Sequence, residues 1–257
     1  MPQNRRGRSG KVPLARALSK LGLLSRSEAV QAIRAGRVRV DGRLAGDPAA
    51  LVVPEQVRVS IDGAAQVRAQ ARTLVLNKPR GVVTSRHDPQ GRRTVFDVLE
   101  ETGLETRGLV AVGRLDLATS GLLLLTSDTR LADWIADPAH AVPRVYAVTV
   151  RGRVSEDDVA RLMSGAWSPH AAAIRKASGR ETHLVVELRR GRNREVRRLF
   201  DSIDRDVTRL VRVRLGGLEL GSLEPGEWRE VPRQEIQRAF ADYRMRNAEF
   251  SIPTSDS

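Results

Sequence analysis

Apolar positions recur with two different periods along this chain, and the changes of period mark its elements. Leu14, Leu18 and Leu21 fall at i, i+4 and i+7, one helical face, and Gly22 is placed to close that short helix. Ser25 and Glu28 form an S-x-x-E capping box, which opens a second helix to about Ala35 before Gly36 stops it. Val38 and Val40 then alternate with Arg37 and Arg39, Asp41-Gly42 supplies a hairpin turn, and Val57, Val59 and Ile61 alternate again. Two short helices and a small sheet therefore make a first module over residues 12–63. Residues 1–11 have no apolar period and read as a disordered basic arm, and residues 64–72 as a hydrophilic linker.

From residue 73 to about 245 the pattern mixes both periods. It predicts strands near 74–77, 109–112, 121–126, 145–150, 183–188 and 207–214, and helices near 94–101, 129–136, 155–163, 194–203 and 233–245. No repeating βαβ unit appears, so the fold class is α+β rather than a doubly wound sheet. Residues 246–257 offer few apolar anchors and read as a loose tail.

Charge narrows the function. The 257 residues carry 44 Lys+Arg against 31 Asp+Glu, a net charge of +13, which points to a polyanionic partner, nucleic acid first. Residues 1–72 hold 14 of the basic residues and only 5 of the acidic ones, so the first module and its flanks carry most of the excess. A solvated arginine-rich surface is the plainer account of such a bias. A second cluster, ten arginines and four acids between Arg189 and Arg214, argues for phosphate contacts in two places. Cysteine is absent and there are four histidines, which excludes thiolate chemistry and disulfides and leaves little for a zinc site. No apolar run is long enough for a bilayer span, and the N-terminus has no signal-like apolar segment, so a cytoplasmic protein without membrane contact is expected.

The densest candidate chemistry is Gly113-Arg114-Leu115-Asp116-Leu117-Ala118-Thr119-Ser120-Gly121, followed by the apolar run Leu122–Leu125 and Thr126-Ser127-Asp128. An acid on a turn just before a buried strand is held by the most rigid layer of a protein. From spacing alone Asp116 is better explained by a turn or cap than by catalysis.

This string resembles the catalytic motif of RNA pseudouridine synthases of the RsuA/RluB type, G-R-L-D-x-x-T-S-G-L-L-L-L-T-x-D. Three further segments agree in order and spacing. Asn77-Lys78-Pro79-Arg80-Gly81 resembles the family's K-P-x-G strand, Arg144-Val145-Tyr146-Ala147-Val148 its K-x-Y-x-V segment, and Gly191 to Phe200 its G-x-N-R-[QE]-V-R-R motif. The first module resembles the alpha-L RNA-binding domain shared with a small-subunit ribosomal protein, through Ser25-Arg26-Ser27 and Gly36 to Gly42. The resemblance covers roughly residues 12–232. Arg144 departs from the usual lysine, Glu195 from the commoner glutamine, and Ile203-Asp204-Arg205 lacks a glycine common at that turn.

The resemblance implies a small N-terminal RNA-binding domain and a catalytic domain with a mixed, largely antiparallel sheet and a central cleft. It implies isomerisation of uridine to pseudouridine in ribosomal RNA by a monomer, without cofactor or metal. The segment His87-Asp88-Pro89-Gln90-Gly91-Arg92-Arg93 and the following T-V-F-D favour the large-subunit branch, and hence 23S over 16S RNA. Asp116 becomes the essential carboxylate, either attacking the anomeric carbon or abstracting a ribose proton to give a glycal. Arg197 is expected to fix and ionise it, with Arg194 and Arg198 as alternatives. Tyr146 would stack on the base and pass a proton, or else pack in the core. Arg114 would fill the vacated stack or grip a phosphate, or else form an internal ion pair; Leu199 would wall the base or sit in the core. Arg26, Arg37, Arg39, Lys78, Arg92, Arg192 and Arg194 are the remaining candidate RNA contacts. Two other functions compete: a non-catalytic RNA-binding assembly factor, and a glycoside hydrolase, for which Asp116 lacks an obvious partner acid nearby.

Overall fold

The structure, a computed structural model, describes residues 10–24, 26–54, 56–65 and 71–241. It divides into two units. One contains the described residues up to Arg72 with Thr106–Val110 and Thr126–Arg130, the other Thr73–Glu105, Ala111–Leu125 and the chain from Leu131 on. The two short returns to the first unit are invisible to composition, since neither is flanked by linker-like sequence.

The first unit runs β1 (Val12–Pro13), α1 (Leu14–Lys20), α2 (Arg26–Arg34), β2 (Val38–Val40), β3 (Arg43–Leu44), β4 (Leu51–Val52), β5 (Val59–Ile61) and β6 (Ala64–Ala65). The expected helix faces are the buried ones. Leu14, Leu18, Ala29, Ala32 and Ile33 pack against Val38, Val59 and Ile61. Asp41 and Gly42 both take positive φ, 50° and 81°, as the tight turn joining β2 to β3 requires. β3, β2, β5 and β6 form one antiparallel sheet in that order, and β1 pairs with β4. Ala64–Ala65 thus belongs to this sheet, although composition assigns these two residues to the linker. The proposed capping residue Ser25, most of the basic arm, linker residues 66–70 and the C-terminal tail lie outside the described residues.

The second unit contains β7 (Thr73–Lys78), α3 (Val95–Glu100), β8 (Val110–Val112), β9 (Ser120–Thr126), α4 (Thr129–Ala136), β10 (Arg144–Arg151), α5 (Glu156–Ser164), β11 (Ala171–Ala177), β12 (Glu181–Leu188), α6 (Glu195–Asp201), β13 (Val207–Leu215), β14 (Leu218–Glu219), β15 (Trp228–Glu230) and α7 (Arg233–Ala239), with β8 and α4 starting, and β9 ending, in the short stretches named above. Capping boxes at Thr94/Asp97 and Ser155/Asp158 start α3 and α5. The sheet order is β11-β12-β10-β13-β9-β7-β15, with β14 on β13 and β8 on β9. Most of its assigned pairs are antiparallel, while β13 runs parallel to β9 through Val211↔Ser120 and Arg212↔Gly121. The fold is α+β with a mixed sheet, as the sequence pattern implies.

Burial explains the centre of that sheet. All six residues of β7 are buried although three of them, Thr73, Asn77 and Lys78, are polar, and Gly121 to Thr126 of β9 are buried around an apolar Leu122–Leu125 run. One core cluster joins Val75, Val112, Leu122 and Leu124 to Leu131 and Ile135 of α4 and to Ile236 and Phe240 at the C-terminal end. In the register, Tyr146 is opposite Arg212, and Arg212 is in turn opposite Gly121. Three neighbouring strands therefore bring the tyrosine, this arginine and the end of the Asp116 turn together.

Candidate active site

A cleft of about 630 Å³ opens in the second unit, lined by Asp116, Arg114 and Tyr146, by the loop Gly191–Arg194, and by Arg144, Arg212, Val196 and Leu210 among others. The turn that carries Asp116 is anchored residue by residue. The Thr84 hydroxyl donates to the Leu115 carbonyl at 2.7 Å, and the Gly81 amide to Leu117 at 2.8 Å. Arg197 reaches Ala118 with Nη2 at 3.4 Å, and Lys78 Nζ donates to Thr119 at 2.9 Å. Four consecutive carbonyl-bearing positions around the acid, apart from its own, are thereby held by distant parts of the chain. This is the physical content of having the K-P-x-G segment and the arginine-rich motif in one protein: both serve the backbone beneath Asp116.

Arg197 has a second task. Its Nη1 donates to the Val207 carbonyl at 3.0 Å, and its Nε faces Asp116 Oδ2 at 3.7 Å, an ion pair too long for a hydrogen bond. Among the described residues, Asp116 Oδ1 and Arg197 Nε are buried with no hydrogen-bond partner. The guanidinium is therefore fixed by carbonyls, while the Asp116 side chain, 28% exposed, lines the cleft. Of the three arginines considered for this place, Arg197 is the one whose ion pair reaches Asp116. Arg194 is an exposed cleft residue at a left-handed φ of 51°, and Arg198 lies over Trp167 at 5.1 Å.

Tyr146 is buried, at 8% exposure, in the strand that forms one wall of the cleft. It is thus a core residue of the sheet that also lines the cleft. Arg114 is exposed and lines the cleft two residues before the acid. Arg192 is exposed beside it, with its guanidinium 5.4 Å from the Trp167 ring.

Two expectations are corrected. Lys78 is not an RNA contact: it is 0% exposed, and its ammonium is bonded to the Pro79 and Thr119 carbonyls. Burial pulls its pKa down to about 8, against the opposing pull of Asp116. Leu199 does not wall the base. It is 1% exposed in the core side of α6, and Val196, one helical turn earlier, is the apolar residue of that helix on the cleft.

The other basic candidates are exposed but differ in how far their charge is committed. Arg92 pairs with Asp88 through two nitrogens, at 2.7 and 3.0 Å, which holds the Asp88 carboxyl down at about 2. Arg37 is likewise bidentate to Asp62, and Arg39 donates to the Gly42 carbonyl. Arg26 is exposed at the start of α2.

Two buried arginines were not singled out by sequence as site residues. Arg144 is 4% exposed and donates to the Val142 and Ile135 carbonyls, so the residue that departs from the familiar lysine secures the end of α4 and the following loop. Arg212 is 1% exposed, donates Nε to the Leu122 carbonyl at 2.7 Å and lines the cleft. Its place in an arginine cluster disguised it as a surface charge. Among the described residues no group of three or more His, Cys, Asp or Glu side chains is placed to hold a metal ion, and no helix is long and apolar enough to cross a membrane.

Comparison with known proteins bears on this geometry. The family described as RNA pseudouridylate synthase matches residues 72–202, and the S4 domain matches residues 12–57. A Pseudomonas aeruginosa protein named ribosomal large subunit pseudouridine synthase B is 40% identical over 238 residues, 87% of this chain and 60% of that protein. The chain thus spans less than two thirds of that relative's length. An Aquifex aeolicus protein named uncharacterized RNA pseudouridine synthase is 33% identical over 89% of this chain and 94% of its own. A solved structure described as a pseudouridylate synthase superposes with a TM-score of 0.60 at 26% identity, covering 89% of this chain and 99% of that one. The matched region contains the whole Asp116 turn, Tyr146 and Arg197, and the chain belongs to the RNA pseudouridylate synthase family.

Proposed function

We propose that this protein converts a specific uridine of ribosomal RNA to pseudouridine, with large-subunit 23S RNA as the substrate and Asp116 as the catalytic carboxylate. The observation that carries it is the Asp116 carboxylate facing a cleft beside Tyr146, 3.7 Å from a guanidinium that backbone carbonyls hold in place. Several relatives at 40% identity are named ribosomal large subunit pseudouridine synthase B, which favours the large-subunit target.

The chemistry asks three things of these residues. The uridine must leave its helix, at a cost of a few kcal/mol, which contacts to the RNA backbone have to offset. The exposed Arg114, Arg192 and Arg194 at the cleft, with Arg26, Arg37, Arg39 and Arg92 elsewhere, supply cations for that purpose. Next, the bond between ribose C1′ and uracil N1 must break. A carboxylate beside C1′ stabilises the developing oxocarbenium charge, whether it then bonds to C1′ or takes the neighbouring ribose proton. Arg197, itself fixed by backbone carbonyls, holds the Asp116 carboxylate in place beside the cleft. Finally, the base turns, C5 bonds to C1′ and the C5 proton departs. Tyr146 supplies a ring against which the base can turn and a hydroxyl near the site of proton loss. No electrons are gained or lost, so neither cofactor nor metal enters the scheme. The protein acts as a monomer in the cytoplasm, where ribosomal RNA is found.

The test is to delete the gene, treat ribosomal RNA with carbodiimide and map reverse-transcription stops. Loss of one 23S stop, restored by the wild-type gene and not by Asp116→Asn, is the expected result. An unchanged 23S pattern with a lost 16S stop would overturn the subunit assignment, and no lost stop would overturn the function.

A further inference from the structure

The proposed chemistry leaves one group on the cleft without a task. Among the described residues, Arg212 is the largest fully buried side chain, at the centre of the sheet. Its Nε is spent on the Leu122 carbonyl, while its Nη2 is buried with no hydrogen-bond partner among the described residues. A buried guanidinium with an unmatched N–H pair is costly unless something completes it. Buried Arg144 and part-buried Arg197 are differently employed. Arg144 donates from both terminal nitrogens to carbonyls, and so does Arg197.

The surroundings indicate what would complete Arg212. It lies opposite Tyr146 in the strand register, and the phenol partly opposes the downward push that burial exerts on its pKa. Gly113 faces it: a Cβ at that position would stand 3.4 Å from Nη1, so a side chain there would crowd the guanidinium from the Asp116 turn. Phosphate groups have the exposed Arg114, Arg192 and Arg194 to meet. A nucleotide whose C1′ is at Asp116 and whose base lies against Tyr146 presents to the buried arginine the edge of the base.

We propose that Arg212 is the base-recognition residue of this cleft, donating from its guanidinium to a carbonyl oxygen of the extruded uracil. The inference rests on the uridine-isomerising function proposed above and adds the group that holds the base while it is detached. When the C1′–N1 bond breaks, the bonding pair leaves with N1, and the resulting charge is shared with O2 and O4. A fixed cation at one of those oxygens stabilises the anion and keeps it from diffusing away before C5 bonds to C1′ and the C5 proton is released. Because the donor is preorganised by Leu122, it acts without rearrangement when the charge develops.

The test pairs changes in protein and substrate. Wild type and Arg212→Lys are assayed under single-turnover conditions on an RNA fragment carrying uridine, 2-thiouridine or 4-thiouridine at the target, with product read by nucleoside chromatography and affinity by filter binding. Sulfur is a weak acceptor, so replacing the contacted oxygen should slow wild type at least tenfold while the other thio-substitution has little effect. Arg212→Lys should be at least 100-fold slower on uridine with affinity within a few-fold, and should lose little more on the sensitive thio-substrate. Equal wild-type rates on all three RNAs overturn the proposal, as does a full, additive thio-effect in Arg212→Lys. If the lysine variant does not fold by circular dichroism, the two wild-type thio-substrates decide the matter alone. Failure of wild type to isomerise the uridine RNA would instead indict the function on which the inference rests.

Discussion

Gly121→Ala should cost about 2 to 5 kcal/mol of folding stability, although it adds a single methyl group. Gly121 begins the buried run of β9 at φ +100°, where an L side chain is strained by about 1 to 2 kcal/mol. Its added Cβ would stand 2.3 Å from the Arg212 carbonyl oxygen, 2.8 Å from the Arg212 nitrogen and 2.8 Å from Val211 Cγ1. Two of these three are backbone atoms of the parallel partner strand, so no side chain can rotate away. Overpacking of this kind costs about 1 to 3 kcal/mol, and separating β9 from β13 would also break their short pairing. With a total stability of about 5 to 15 kcal/mol, the loss should shift a urea midpoint by about 0.7 M or more at an m of about 3 kcal/mol/M. Gly179→Ala is the control, since nothing lies within 4 Å of the Cβ it would add and its φ is not positive. Single-turnover activity of Gly121→Ala should fall further than stability explains, because the same strand contact sets the distance between the Asp116 turn and Arg212. A midpoint within 0.3 M of wild type would refute the claim that this close approach fixes the site.

Three other outcomes follow from the same geometry. Arg197→Lys keeps the charge but cannot bridge Val207, Ala118 and Asp116 together, so the single-turnover rate should fall by about 100-fold with RNA affinity nearly unchanged; an equal rate would reduce Arg197 to a generic cation. Lys78 has a folded-state pKa of about 8 against an ordinary 10.5, so the unfolded chain binds more protons between these values and stability should rise with pH across that window. Relative to Lys78→Met, wild type should gain about 2 to 3 kcal/mol between pH 7.5 and 10 in urea titrations, and a flat difference would contradict the burial of a charged ammonium. The double variant Arg26→Ala, Arg39→Ala should reduce the slope of log affinity against log salt by about 0.7 to 0.9 per lost phosphate contact; an unchanged slope would mean that these arginines do not touch RNA.

Much of this was legible from residue pattern. Both short helices of the first unit, the Asp41-Gly42 turn and five helices of the second unit fall where apolar period and capping residues put them, within about two residues at the starts. The strands that escaped are those without a pattern to read. β11, with the sequence Ala-Ala-Ala-Ile-Arg-Lys-Ala, is an exposed edge strand carried by its pairing with β12 rather than by its own side chains. β14 and β15 are two and three residues long, too short for a period to show. At the site, Asp116, Tyr146 and Arg197 could be named only through the motifs that resemble the family's, because spacing alone favoured a turn for the acid and the core for the tyrosine. Lys78 and Leu199 were misplaced because sequence spacing does not say which face of an element meets the cleft. Arg212 was hidden for a related reason: ten arginines in 26 residues look alike until the sheet register buries one of them.

The central claim is that the Asp116 carboxylate performs the isomerisation, and the most direct measurement is single-turnover tritium release from RNA labelled at uracil C5. Asp116→Asn keeps the shape of the side chain and removes its charge and nucleophilicity. The account predicts no detectable release from folded Asp116→Asn, with RNA affinity within a few-fold of wild type. Measurable turnover by Asp116→Asn in a preparation free of wild-type enzyme would contradict it.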